Sequence, residues 1–190
     1  MRKYERLPRF EITQGAYRIQ PVQDEHIEPI RCWRNQQMDM LRQERAIEKD
    51  EQETYFAQSV WPQMAVEQPA QILVTLLKNE LPIAYGGFVH ASWTHRRAEL
   101  SFLTDPKIAR SERQYSEALM NYLTLIRVAG FERLPFNRLY LETYAIRTAH
   151  IATLEANGFR HEGTMREHVI VNGESVDSLI HSCLRREWIS

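Results

Sequence analysis

Along residues 97–104, Ala98, Leu100 and Phe102 alternate with Glu99, Ser101 and Leu103. That period of two is the mark of a strand. From Ser111 to Ala129 the period changes, and Tyr115, Leu119, Tyr122 and Ile126 recur every three or four residues as one apolar helix stripe. Ser111 and Gln114 have the spacing of a capping box at its start, and Gly130 stands where it should end. Upstream, Ala16–Val22 reads as a strand, and Asp24 caps a helix running to Asn35. Gln36–Ala46 is polar and irregular, and Asp50–Trp61 is a second helix ended by Pro62. Gln71–Lys78 and Pro82–Trp93 are strands joined by a turn at Asn79–Glu80. Arg138–Tyr144 is another strand, and Thr148–Asn157 a short helix capped by Gly158. Asn172–Gly173, between two alternating stretches, is a hairpin turn.

The order β-α-α-β-β-β-α-β-α-β-β predicts an α/β (α+β) fold with a mixed, mostly antiparallel sheet flanked by helices. The long helix is the crossover between Arg97–Thr104 and Arg138–Tyr144. Residues 1–15 are expected as an extended arm before a single domain over 16–190. A chain of 190 residues buries roughly 70% of its unfolded surface, enough for a core without staples.

Charge narrows the partners. Lys and Arg number 24 against 25 Asp and Glu, so no net field attracts nucleic acid or an anionic membrane. Hydrophobic residues at 43% and charged ones at 26% exclude a disordered or fibrous chain. Cys32 and Cys183 lie far apart without metal spacing, which predicts reduced thiols, no metal site and a cytoplasmic protein. The start MRKYERLPRF lacks the apolar stretch of a secretion signal, and Ile72–Leu77 is far too short to span a bilayer. The expected partner is therefore a small molecule, with the chain a monomer or homodimer.

The element order, with AELSFLTDP (98–106) and LETYAIRTAHIATLEANGFRHEG (141–163), resembles the GNAT superfamily of N-acetyltransferases. REHVIVNGESVDSLIHSCL (166–184) looks like its branch of ribosomal-protein N-terminal and nucleotide amino-sugar acetyltransferases, and CWRNQ (32–36) is similar to the amino-sugar enzymes. The resemblance implies central strands that splay apart and transfer of an acetyl group from acetyl-CoA, without a metal, to an amine. It places the pantetheine arm of CoA along Phe102, Leu103 and Thr104. It also places the pyrophosphate at the start of the long helix, where backbone amides and the dipole favour anions. The family's glycine-rich loop is here RSERQYS (110–116), with Ser111, Arg113 and Tyr115 at the glycine positions. Arg110, Arg113 and Ser116 are then the candidate phosphate contacts, or else solvated residues of an ordinary capped helix.

Glu99 matches a position of catalytic glutamates in the family, where it would take the proton of the amine. Its structural alternative is an ion pair with Arg96 or Arg97. The family's tyrosine, five residues before the Gly-Phe aromatic, falls on Leu154, and its CoA-contacting asparagine on Arg147. Tyr144 and His150 are the candidate substitutes for the tyrosine, and Arg147 for the asparagine. On the acceptor side, Arg31, Arg34 and Asn35 suit a diphosphate or carboxylate. His168 and Asp177 lie on the closing strands, with Asp177 either holding a cationic amine or pairing with Arg166. Tyr55, Phe56 and Trp61 are expected in the core. An amino-sugar nucleotide is the first expected acceptor. Protein N-termini and a non-catalytic binding module are the alternatives.

Overall fold

In the computed structural model, every residue is described except Arg6, Pro8, Arg9, Arg42, Ile189 and Ser190. Those positions of the expected arm, irregular stretch and domain end lie outside the described residues. Eight strands form one sheet: β1 (Ile12–Gln14), β2 (Tyr17–Pro21), β3 (Ile72–Lys78), β4 (Leu81–Ser92), β5 (Arg97–Thr104), β6 (Arg138–Tyr144), β7 (Arg160–Val171) and β8 (Glu174–Leu184). Their spatial order is β1-β2-β3-β4-β5-β6-β8-β7. Every pairing is antiparallel except β5 with β6. That one parallel pair requires a crossover. It is supplied by α3 (Pro106–Ala109) and α4 (Glu112–Arg127). The remaining helices are α1 (Ile27–Asn35), α2 (Lys49–Tyr55) and α5 (Thr148–Ala156).

Both hairpin turns form as the sequence predicts. Asn79 and Glu80 have φ of 50° and 65°, and Asn172 and Gly173 have 52° and 84°. Two successive left-handed residues match the right-handed twist of the joined strands. Gly158 ends α5 at φ 81°, and the Phe159 N–H returns to the Leu154 carbonyl.

Other boundaries differ. The segment expected as an arm is built into the fold. Phe10 packs edge-on against Tyr4 and Phe88, and the Tyr4 hydroxyl accepts the Leu73 N–H at 2.6 Å. Two isolated aromatics give no periodicity, so their burial is invisible in the pattern. Asp24 does not cap α1. The chain enters through a short 3-10 turn headed by Gln23, and the Asp24 carboxylate pairs with Arg2 instead. The capping box at Ser111 is half formed. Its hydroxyl takes the Gln114 N–H, while its own N–H is used by Ile108 in the preceding turn.

Gly130 does not end α4 as a cap. The helix runs on through a π-turn, Val128–Arg133, in which Gly130 is buried against the sheet. A Cβ there would lie 3.0 Å from both Leu139 and Phe88. Nor does Pro62 stop its helix abruptly. After α2 come a π-turn (Phe56–Val60) and a 3-10 turn (Trp61–Met64), whose first positions tolerate proline. Phe56 is core, Trp61 packs on it, and Tyr55 is largely exposed. The core lies between the sheet and α4 on one face and α1 and α2 on the other. Among the described residues, no helix is long and apolar enough to cross a membrane.

Candidate functional site

The β5–β6 ladder is short. Arg97 pairs with Arg138, Ala98 with Leu139 and Glu99 with Tyr140, and no further rung forms. Beyond it, β5 stays with β4 through Thr104, and β6 stays with β8 through Tyr144. Residues 100–104 therefore present one backbone edge to a widening gap instead of to a strand. The gap opens into a cleft of about 730 Å³. Phe102, Leu103 and Thr104 form one wall, Arg110 and Tyr115 the α4 side, and Arg147 and His150 the α5 side. The Thr104 hydroxyl is buried there without a protein partner among the described residues. Strand backbone without a β6 partner beside a cleft suits an extended ligand with amide groups, which adds itself as a strand.

Three side chains bridge the mouth of the gap. Arg147 donates to the Tyr115 hydroxyl at 2.7 Å, and that hydroxyl is hydrogen-bonded to His150 Nδ1 at 2.5 Å. The Tyr115 ring also stands edge-on to Phe102. Burial, with Arg147 and His181 nearby, holds the His150 pKa well below its ordinary value, so its ring is neutral. Burial raises the Tyr115 pKa, against the pull of Arg147.

A second pocket, about 480 Å³, lies on the face of the sheet covered by α1 and α2. Tyr85 lines it and is paired with Leu103, which lines the first cleft. One β4–β5 rung thus separates the two. Arg34 reaches into this pocket and donates to the Tyr85 hydroxyl at 3.2 Å. The buried Gln52 lines it as well.

Residues 19–180 match the family profile of an acetyltransferase (GNAT) domain. The chain belongs to the GNAT acetyltransferase family. Its fold is similar to a Vibrio cholerae spermidine N-acetyltransferase solved with CoA and spermine, at TM-score 0.79 and 16% identity over 92% of this chain and 98% of that one. The ribosomal L7/L12 alpha-N-protein acetyltransferase RimL, solved in complex with CoA, gives 0.74 and 13% over 92% and 97%. A probable GNAT-family acetyltransferase from Chromobacterium violaceum gives 0.72 and 22% over 99% and 92%. No curated protein matches the sequence.

Against this GNAT frame, the named residues fall into two groups. Phe102, Leu103, Thr104, Arg110, Arg147 and His150 come together around the cleft. Arg113 and Ser116 do not line it. Arg113 is exposed on the outer side of α4, where its charge helps lower the Glu117 pKa. Tyr144 does not line it either. It alternates with Thr143 and Leu141, and its contribution near the cleft is a carbonyl that accepts the Arg147 N–H at 2.9 Å. Leu154, at the family's tyrosine position, is fully buried.

Glu99 sits on the last rung before the gap. Its partner is neither Arg96 nor Arg97, as the sequence suggested, but His90, whose Nδ1 lies 2.9 Å from the carboxylate. A bulge between Val89 and Ser92, with His90 at φ 48°, turns that ring towards Glu99. Arg96 donates to the Pro135 carbonyl, and Arg97 stacks over Tyr140. The only sequence signal for His90 was its distance from Glu99, which a bulge makes unreadable.

Of the three candidates on α1, Arg31, Arg34 and Asn35, only Arg34 lines the pocket. Arg31 grips Glu28 at 2.7 Å and the Ile47 carbonyl at 2.9 Å, and pulls the Glu28 pKa down to about 2. Asn35 donates to the Ile47 carbonyl and accepts from the Ile47 N–H and from Gln43. Both clasp the loop after α1. Asp177 binds neither Arg166 nor an open site. Its carboxylate accepts the Glu167 N–H at 2.7 Å, where β7 bulges and Glu167 has φ 50°. His168 stands half exposed, 3.8 Å from the Glu142 carboxylate on β6, a residue sequence reasoning passed over. Among the described residues, no cluster of three His, Cys, Asp or Glu is placed to hold a metal ion.

Proposed function

We propose that this chain transfers an acetyl group from acetyl-CoA to the primary amine of a small acceptor, with an amino-sugar nucleotide as the first acceptor to test. The observation that carries this reading is the loss of the β5–β6 ladder after Glu99 and Tyr140, beyond which Phe102, Leu103 and Thr104 form the wall of a cleft of about 730 Å³. The residues present fit acetyl-CoA in kind: a free strand edge, the buried Thr104 hydroxyl, and cationic Arg110 and Arg147 for its phosphates. Acetyl-CoA supplies the acetyl group as a thioester.

The chain's own residues supply the rest. Glu99, beside the point where the strands part, takes a proton from the ammonium so that the nitrogen lone pair is free to attack. His90 holds that carboxylate in place and passes its proton to solvent, since its own ring is exposed. As the new N–C bond forms and the C–S bond breaks, the thiolate takes up a proton, leaving amide, thiol and one proton released overall. A thiol with a pKa of roughly 8.5 leaves without strong acid assistance, so a buried leucine at position 154 is compatible with turnover. Arg34 and the Tyr85 hydroxyl suit an acceptor with an anionic group in its body, such as a diphosphate. A polyamine has no group for that guanidinium.

The test is incubation with acetyl-CoA and a panel of amino-sugar nucleotides, polyamines and peptides, reading free thiol and acetylated product by mass spectrometry. Thiol release matched by an acetylated amino sugar is expected. Acetylation of peptide N-termini alone would replace that acceptor, and binding of CoA without any transfer would make the chain a binding module.

A further inference from the structure

The second pocket, at about 480 Å³, is far larger than one phosphate group needs, and it holds a side chain that the fold does not use. Gln52, in the middle of α2, lines it and is 3% exposed. Its backbone N–H goes to the Glu48 carbonyl, while its side-chain amide makes no hydrogen bond among the described residues. A buried amide left without partners is costly, so a group of this kind points to a ligand that completes it. It presents a donor and an acceptor side by side, which matches a ring edge carrying an acceptor beside a donor.

Tyr55, three residues further along α2, lines the same pocket and is 45% exposed. Its hydroxyl donates to Gln71 at 3.3 Å, and its ring stands edge-on to the buried Phe56. The ring is thus held in place with much of its surface open. Among the charged residues of the pocket, Arg45 and Glu51 neutralise each other at 2.7 Å, and Glu44 is exposed. Arg34 is held by the neutral Tyr85 hydroxyl and by no carboxylate among the described residues. A flat ring, an amide and an unneutralised guanidinium are what a nucleotide needs: a stacking surface, a partner for the base edge and one for phosphate.

We propose that this pocket holds the nucleotide part of the acceptor, with Gln52 as the specificity-determining residue that reads the edge of the base and Tyr55 as the ring on which the base stacks. This inference rests on the reading of the acceptor as an amino-sugar nucleotide, and names the residues that select it. The reach to the proposed base fits. Leu103, paired with Tyr85 at the pocket, shares one face of β5 with Glu99, four residues and about 13 Å away. A sugar carried on a diphosphate covers a separation of that order, which brings its amine towards the carboxylate.

The test is isothermal titration of the full chain, without acetyl-CoA, against UMP, CMP, AMP, GMP and ribose 5-phosphate, which keeps the phosphate and lacks a base. At least one nucleotide is expected to bind about tenfold more tightly than ribose 5-phosphate. Gln52→Leu is expected to erase that gap, losing about tenfold towards the nucleotide and little towards ribose 5-phosphate. Tyr55→Ala is expected to weaken the nucleotide several-fold. An analogue of the tightest nucleotide, methylated on the ring nitrogen of its edge (N3 of a pyrimidine, N1 of a purine), reads the same contact on wild type without any variant having to fold. It is expected to bind no better than ribose 5-phosphate. Four nucleotides no tighter than ribose 5-phosphate would overturn the proposal, as would full affinity for the methylated analogue. Equal losses towards both ligands in Gln52→Leu would make the residue structural and overturn its reading role. Base-dependent binding in a chain that transfers no acetyl group would uphold the pocket and count against the proposed catalysis. Acetyl transfer to simple amino sugars without any base preference would do the reverse.

Discussion

Glu99 and Tyr140 face each other across the last rung that β5 and β6 share, and every candidate contact for a thioester lies beyond that rung. Glu99 is not among the residues that line the cleft; its carboxylate is tethered to His90, one rung before the strands part. The break in the ladder thus creates the groove for an extended donor, and the proposed base stands just ahead of it.

Glu99→Gln keeps the size and a hydrogen bond to His90 while removing the proton acceptor. Its expected effect is a fall in kcat of about 10²-fold, within the usual range for a general base, with the KM for acetyl-CoA unchanged. Steady-state kinetics with either substrate varied reads this, and an unchanged kcat would remove Glu99 as the base.

Asn35→Ala removes the amide that ties α1 to Ile47 and Gln43, leaving the Ile47 N–H without its partner while the Ile47 carbonyl keeps Arg31. The expected cost is about 1–3 kcal/mol, together with a higher KM for the acceptor and an unchanged KM for acetyl-CoA. Urea unfolding and kinetics report the two effects separately. A rise in the acetyl-CoA KM alone would place this loop on the donor side.

His150 gives a pH dependence with a definite sign. Burial depresses its folded pKa, so between that value and about 6.5 the unfolded chain binds a proton that the folded chain refuses. Stability is then full above pH ~6.5 and falls as the pH drops, with a limiting slope of about 1.4 kcal/mol per unit for this one group. His26 and His181, also depressed chiefly by burial, add in the same direction. Glu28, Glu51 and Glu162, held at about 2 by Arg31, Arg45 and Arg138, act in a separate window below pH ~4.5. Melting temperatures of wild type and His150→Gln between pH 7 and 5 are expected to diverge in slope, the variant being the flatter. Parallel curves would mean that His150 takes up its proton in the fold.

Gly130→Ala forces a methyl group to within 3.0 Å of Leu139 and Phe88. Overpacking of this kind costs about 1–3 kcal/mol, read as a lower urea midpoint with unchanged slope. A neutral result would mean that the π-turn after α4 relaxes freely.

The legible parts of this fold were those whose signals are local. The Asn172–Gly173 turn, the alternation through β5 and the stripe on α4 each lie within a few residues, and each formed. Tyr4 and Phe10 were missed because their partners, Leu73 and Phe88, are more than sixty residues away. The site was half legible for the same reason. The family resemblance pointed to Phe102–Thr104, which line the cleft, and residue type on α1 to Arg34, which lines the second pocket. The Tyr115–His150–Arg147 bridge joins two helices that approach only when the sheet is complete, so the pattern showed Tyr115 as one more member of an apolar stripe. Arg31, Asn35 and Asp177 carry the right chemistry for ligands, yet the fold uses them on its own backbone, a distinction that residue type does not encode.

The central claim is that the donor lies against the free edge of β5. Amide hydrogen exchange of the segment 100–104, measured by mass spectrometry with and without saturating CoA, tests it most directly. Amides facing the gap lack a β6 partner and should exchange readily in the free protein, then slow markedly when an extended ligand pairs with them. Slowing there, together with the residues around Arg147, is the predicted result. CoA binding that leaves exchange across residues 100–104 unchanged would contradict the account.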